Sequence, residues 1–119
     1  MKVCPYIEAS FQILGKKWNG QLIHYLSLCD NGTAHFSDIK HDLRGITSRA
    51  LSLKLSELAE EELVEKIVEN GSPVTISYQL TEKGRSLSDS LKPIQEWAQN
   101  YMNVNTPKES EGEEIDKKQ

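Results

Sequence analysis

Three groups of residues in this chain are of a type and spacing that could do chemistry: two thiols, a set of histidines, and an arginine set among short hydroxyl side chains. Cys4 immediately precedes Pro5, which opens a run with Ile7, Phe11 and Leu14 at helical spacing. A cysteine there borders a helix start, where unpaired amides and the positive end of the dipole favour the thiolate. Thiolates attack quinones and oxidants, giving adducts, sulfenic acid or disulfides. Taken on its own, the position favours a plainer reading, an incidental residue in a loose terminus. Cys29 falls on the apolar side of a second helix and reads first as a small buried hydrophobe, with a resolving thiol as the minority alternative. His24, His35 and His41 match no compact metal-ligand spacing with Cys29, so no metal is expected. No catalytic triad, glycine-rich phosphate loop or carboxylate pair stands out. Neither a cofactor nor an enzyme activity is expected.

The arginine group is Thr47-Ser48-Arg49, followed by Ser52 and Lys54. Leu51, Leu55 and Leu58 recur at i, i+4 and i+7 and give this segment a buried stripe, leaving the polar residues on other faces. Arginine can bond guanine with both arms of its fork, and Ser48, Ser52 and Thr47 can bond a base or a phosphate. Lys54 and the Lys16-Lys17 pair suit phosphates, which set register without reading sequence. Serines on a helix are also ordinary surface residues, so what surrounds the segment decides its meaning.

The surrounding elements read as follows. A short helix spans Pro5 to Leu14 and stops at Gly15. A second starts near Trp18 or Asn19 and runs to about Cys29, with Leu22, Ile23 and Leu26 as its apolar side. Asp30-Asn31-Gly32 is a turn. A third helix covers Phe36 to Leu43, with Ser37 as a candidate cap and Phe36, Ile39 and Leu43 inward. Arg44-Gly45-Ile46 is a tight connection to a helix capped by Thr47 and reaching about Glu61. Two strands follow, Val64–Glu69 and Val74–Leu80, around the turn Asn70-Gly71-Ser72-Pro73; Val74, Ile76, Tyr78 and Leu80 share one face of the second. Thr81 caps a last helix running to about Met102, which Pro93 is expected to kink or split. Short helix, tight turn, polar-faced helix and hairpin, in that order, predict an α+β fold: a winged helix-turn-helix, mostly helical, with a two- or three-stranded wing.

With 119 residues, 37% of them apolar, the chain is long enough for one domain with a modest core. The net charge of −4 looks unsuited to nucleic acid, but its distribution is uneven. Residues 16–54 hold six basic residues against three acidic ones, a local +3 on an acidic body. Between Val64 and Leu80 only Lys66 is basic, so wing contacts to phosphate are expected to be few. No apolar run approaches the ~20 residues that span a bilayer, and the N-terminus lacks the apolar stretch of a signal peptide, so a cytoplasmic location without membrane association is expected. Residues 1–103 are read as the folded domain and 104–119 as a disordered charged tail.

Several of these pieces together resemble a known family. Cys4-Pro5, Ile13-Leu14-Gly15-Lys16-Lys17-Trp18, Phe36-Ser37-Asp38-Ile39, Gly45-Ile46-Thr47, Leu55-Ser56-Glu57-Leu58 and Tyr78-Gln79-Leu80-Thr81-Glu82-Lys83-Gly84 are similar to the HxlR-type branch of the MarR-like bacterial transcription regulators. The Gly-Lys-Lys-Trp-Asn segment looks like the thiol-based, quinone- or electrophile-sensing repressors of that branch. The resemblance implies a homodimer joined through its terminal helices, 5–14 and 82–102. Two recognition helices would then address half-sites of a palindromic double-stranded operator. The family's sensing cysteine falls on Cys4 and its recognition positions on Thr47, Ser48, Arg49 and Ser52. The implied function is repression, relieved when Cys4 is modified by a quinone, electrophile or oxidant. A departure is Thr75, where family wings often carry a base. The residues alone leave other readings open: the same fold with a non-covalent small-molecule effector, a small thiol-dependent redox enzyme, or a winged-helix protein-interaction module.

Overall fold

The computed structural model describes residues 1–105. From residue 106 on, the charged tail expected at 104–119 lies outside the described residues. The chain divides into two compact units, Met1–Asp89 and the segment from Ser90. Among the described residues there are five α-helices and one three-stranded antiparallel sheet: α1 (Pro5–Leu14), α2 (Asn19–Leu28), β1 (Thr33–His35), α3 (Phe36–Asp42), α4 (Ser48–Glu60), β2 (Val64–Glu69), β3 (Thr75–Leu80) and α5 (Glu82–Tyr101).

The core of the first unit is built from the apolar stripes that periodicity picks out. Leu22, Ile23 and Leu26 of α2, Ile39 of α3 and Leu51, Leu55 and Leu58 of α4 are buried, and Ile46, Leu63, Val64, Tyr78 and Leu80 join them from the connections and the sheet. Removing such side chains from water is the main stabilising term, about 1.5–3 kcal/mol for each large one. Local chemistry sets the helix ends. Thr47 Oγ1 accepts from the Ala50 amide at 3.0 Å and Thr81 Oγ1 from the Gly84 amide at 3.0 Å, so both threonines cap as their sequence positions suggest. Ser37 does not cap α3. His35 holds that position without a side-chain bond, and Ser37 sits inside the first turn.

β3 is the central strand, with β1 on one side and β2 on the other. Thr33 pairs with Gln79, His35 with Ser77, Val64 with Leu80 and Glu69 with Thr75. β1 is a three-residue strand that exists through this pairing, which completes a three-stranded sheet. β3 starts at Thr75, one residue later than the alternation suggests, and its apolar face is covered only in part. Tyr78 and Leu80 are buried, whereas Val74 and Ile76 are exposed because the outer half of the β2–β3 ribbon projects beyond the core. Ser77 is buried on the opposite face and is satisfied by His35 Nδ1 at 2.9 Å across the β1–β3 pair.

Of the two outcomes expected at Pro93, the split does not occur. The helix continues through this residue to Tyr101 and is not split. In the segment from Ser90, Ile94, Trp97 and Tyr101 are exposed, and the two rings lie 6.0 Å apart centre to centre. α1 buries none of its residues, and Tyr6, Ile7 and Phe11 lie open to solvent.

Candidate nucleic-acid interface and thiol sites

α3, the residues 43–47 and α4 form the helix-turn-helix. The Ile39 carbonyl accepts from the Leu43 amide and closes α3; Gly45 then turns the chain with φ +91°, a left-handed conformation in which a β-carbon is strained. Ile46 is buried and anchors the turn, and Thr47 starts α4. With Leu51, Leu55 and Leu58 held in the core, α4 leaves Ser48, Arg49, Ser52, Leu53 and Ser56 in solvent. Among the described residues Arg49 makes no ion pair, so its guanidinium is available to an outside partner. Thr47 already spends an acceptor on its cap. Lys54 differs from the other predicted cations: it is mostly covered, and its Nζ lies 3.5 Å from Glu57 Oε1 one turn on. Leu53 and Ser56 share the exposed face but were not singled out by sequence; the helical phase of Arg49 and Ser52 is the signal that picks them out.

The Lys16-Lys17 pair is exposed in the connection between α1 and α2. The next residue, Trp18, has φ +78°, unusual for a residue with a side chain, and costs on the order of 1 kcal/mol. That backbone reversal places the indole against the helix-turn-helix: a β-carbon built on Gly45 would lie 4.0 Å from the ring edge. Lys17 Nζ stands 5.6 Å from the centre of the same ring. Lys17, distant in sequence, is thereby brought beside the turn that opens α4. The wing carries little positive charge. Lys66 is exposed on β2, with Glu65 and Glu69 exposed on the same strand.

The two thiols occupy unlike settings. Cys4 is exposed at the N-cap of α1 and makes no side-chain capping bond. Cys29 is half-buried at the end of α2, not within its fully buried stripe, and its thiol donates to the Tyr25 carbonyl at 3.4 Å. Burial pushes the Cys29 thiol up; the Tyr25 hydroxyl, interacting through its side chain, opposes this, and Asp42, Asp30 and Asp38 add to the rise. Cys29 is thus held in the protonated form, which is the weaker nucleophile. It lines a cavity of about 400 Å³ with Tyr25, His35, Asp38, Asp42 and Glu69. Among the described residues no three His, Cys, Asp or Glu side chains are grouped to hold a metal ion.

Beside Cys29, the Tyr25 hydroxyl donates to Asp42 Oδ2 at 2.6 Å, and His41 Nδ1 lies 3.1 Å from Oδ1. Burial first, then the bond to Asp42, pushes the phenol far up. The hydroxyl, followed by His41, holds the Asp42 carboxyl below its usual range. The charged carboxylate is thus favoured in the folded chain. Its contribution to stability is complete above the ordinary carboxylate pKa and is lost as pH falls through the folded one. Tyr25→Phe is expected to move the Asp42 titration upward toward the ordinary value. An NMR pH titration in which Asp42 stays put contradicts the assigned cause.

Helix-turn-helix, flanking cations and a two-stranded ribbon together define a winged helix-turn-helix protein. Residues 13–106 match the HxlR-like helix-turn-helix family, and the chain belongs to it. It is 37% identical over 99 residues to the HTH-type transcriptional regulator YodB of Bacillus subtilis (strain 168), covering 83% of this chain and 86% of YodB. The reduced form of YodB matches with a TM-score of 0.72 at 35% identity, over 88% of this chain and all of that one. The quinone-bound form of YodB matches with a TM-score of 0.67 at 33% identity, over 83% of this chain and all of that one. The redox regulator HypR in its oxidized form gives 0.73 at 32% identity, over 85% of this chain and all of HypR. The family is one of transcriptional regulators, which sets aside the thiol-enzyme reading. No helix among the described residues is long and apolar enough to cross a membrane.

Proposed function

We propose that this protein is a cytoplasmic, homodimeric repressor that holds a palindromic operator through α4 and releases it when Cys4 reacts with a quinone, an electrophile or an oxidant. The observation that carries the reading is the position of Cys4. It is an exposed thiol at the first turn of α1, a helix that leaves Tyr6, Ile7 and Phe11 uncovered. Apolar side chains exposed on α1, and on α5 at Ile94, Trp97 and Tyr101, suit burial against a second copy. A group added at Cys4 then lands beside the surface that aims two recognition helices at half-sites about 34–36 Å apart. Arg49 reads a guanine, Ser48 and Ser52 contact bases or phosphates, Thr47 reaches a phosphate from its cap, and Lys16 and Lys17 bind the backbone. Lys54 contributes to phosphate binding by leaving Glu57. The resemblance to YodB, which has been solved with a quinone bound, supports the choice of effector.

With a quinone, the Cys4 sulfur adds to a ring carbon. One S–C bond forms as a ring C=C bond opens toward a carbonyl oxygen, which takes up the thiol's proton; the proton on the attacked ring carbon then moves to the second carbonyl oxygen, and the product is a thioether-substituted hydroquinone. Operator affinity measured before and after benzoquinone is expected to fall at least tenfold for the wild type and to stay constant for Cys4→Ser. Intact mass should rise by one quinone in the wild type only. A Cys4→Ser protein that releases DNA as readily sinks the covalent mechanism. That outcome points instead to a non-covalent effector, for which the cavity beside Cys29 offers room.

A further inference from the structure

We propose that Leu53 is a specificity residue that reads the 5-methyl group of a thymine in the major groove. The inference rests on α4 being the recognition helix and adds a residue to it. Leu51, Leu55 and Leu58 turn one side of α4 into the core. Leu53 follows Leu51 by two residues, about 200° around the helix axis, and so points almost directly away from that core. It is 55% exposed, in contrast to the three core leucines at 0–1%. Its neighbours on that face are Arg49 one turn before, Ser52 beside it and Ser56 one turn after, all exposed. An apolar side chain at the centre of this polar face has no cover within the described fold.

The partner that fits is defined by groove chemistry. The major groove presents donors and acceptors for Arg49 and the serines, and one apolar feature, the thymine methyl. A leucine cannot bond a phosphate or an amine, but it can bury a methyl. Arg49 and Leu53 are about 6 Å apart along the axis at 1.5 Å per residue. That corresponds to roughly two base steps of 3.4 Å. The half-site is expected to contain a thymine about two steps from the guanine read by Arg49.

The test begins by selecting operator sequences from random duplex DNA with the full chain. Each thymine of the selected site is then replaced singly by deoxyuridine, which removes only the methyl. At one position per half-site the wild type should lose roughly fourfold, the value of one buried methyl-sized group. Leu53→Ala should bind the thymine and uracil duplexes equally, and Leu53→Met should keep most of the discrimination. Because Leu53 is exposed, Leu53→Ala should melt like the wild type, which separates readout from folding. The proposal is overturned if the wild type ignores the methyl at every position, or if Leu53→Ala keeps the full penalty. Failure of the underlying reading looks different: selection returns no sequence preference, or Arg49→Ala keeps full specificity.

Discussion

Arg49→Ala is expected to remove most sequence-specific DNA binding without disturbing the fold. Arg49 is exposed on the outward face of α4 and makes no ion pair among the described residues, so its loss leaves nothing buried or unpaired. A bidentate arginine–guanine contact carries about 1–3 kcal/mol of discrimination, or roughly 5- to 150-fold per half-site. In the proposed dimer, two half-sites would multiply that loss. Binding to an unrelated duplex should change far less, because phosphate contacts supply it. Lys16→Ala and Lys17→Ala form the contrasting pair. They should weaken all duplexes alike and flatten the salt dependence, with sequence preference kept. Parallel titrations of operator and scrambled duplex, each at several salt concentrations, separate the two behaviours. Undiminished discrimination by Arg49→Ala would mean that α4 does not read bases through this residue.

Gly84→Ala should be among the most damaging substitutions to the fold itself. Gly84 is buried in the first turn of α5. A β-carbon there would lie 2.1 Å from the Leu63 carbonyl oxygen, 3.1 Å from the Leu63 carbonyl carbon and 3.0 Å from Leu80 Cδ2. The obstruction is mainly backbone, and that carbonyl also accepts from the Thr81 amide at 3.1 Å. Relief therefore requires moving the start of α5 away from Leu63, at the cost of the Thr81 bond and its cap on Gly84. Overpacking of this kind costs about 3 kcal/mol, the upper end of its ordinary range. For a chain of this size that corresponds to a fall in Tm of roughly 12 °C. Thermal unfolding followed by circular dichroism gives the answer, and an unchanged Tm would show that the contact yields cheaply.

Much of the fold is legible in the chain because its signals are local. The spacing of Leu51, Leu55 and Leu58 identifies α4 and its buried side through a period of 3.6 residues. Thr47 and Thr81 mark helix starts because a hydroxyl needs only an amide three residues on. The turn at Gly45 follows from the one residue type free to take a positive φ. What failed depends on distant partners. Thr33–His35 has no pattern of its own and is a strand only because β3, more than forty residues on, pairs with it. Val74 and Ile76 continue the alternation of β3, but nothing in the alternation says where the core ends.

The functional surface divides along the same line. The sequence by itself determined that a thiol stands at a helix start, and that an arginine and short hydroxyls lie opposite a leucine stripe, because both facts follow from residue order and helix pitch. Only the tertiary structure decided that Trp18 brings Lys17 to the turn before α4, that Lys54 is taken by Glu57, and that Cys29 is held as a thiol among carboxylates. It also decided that Leu53 is left open on the outward face. Each of these depends on which surfaces meet in space, and exposure is what remains after every other element has packed.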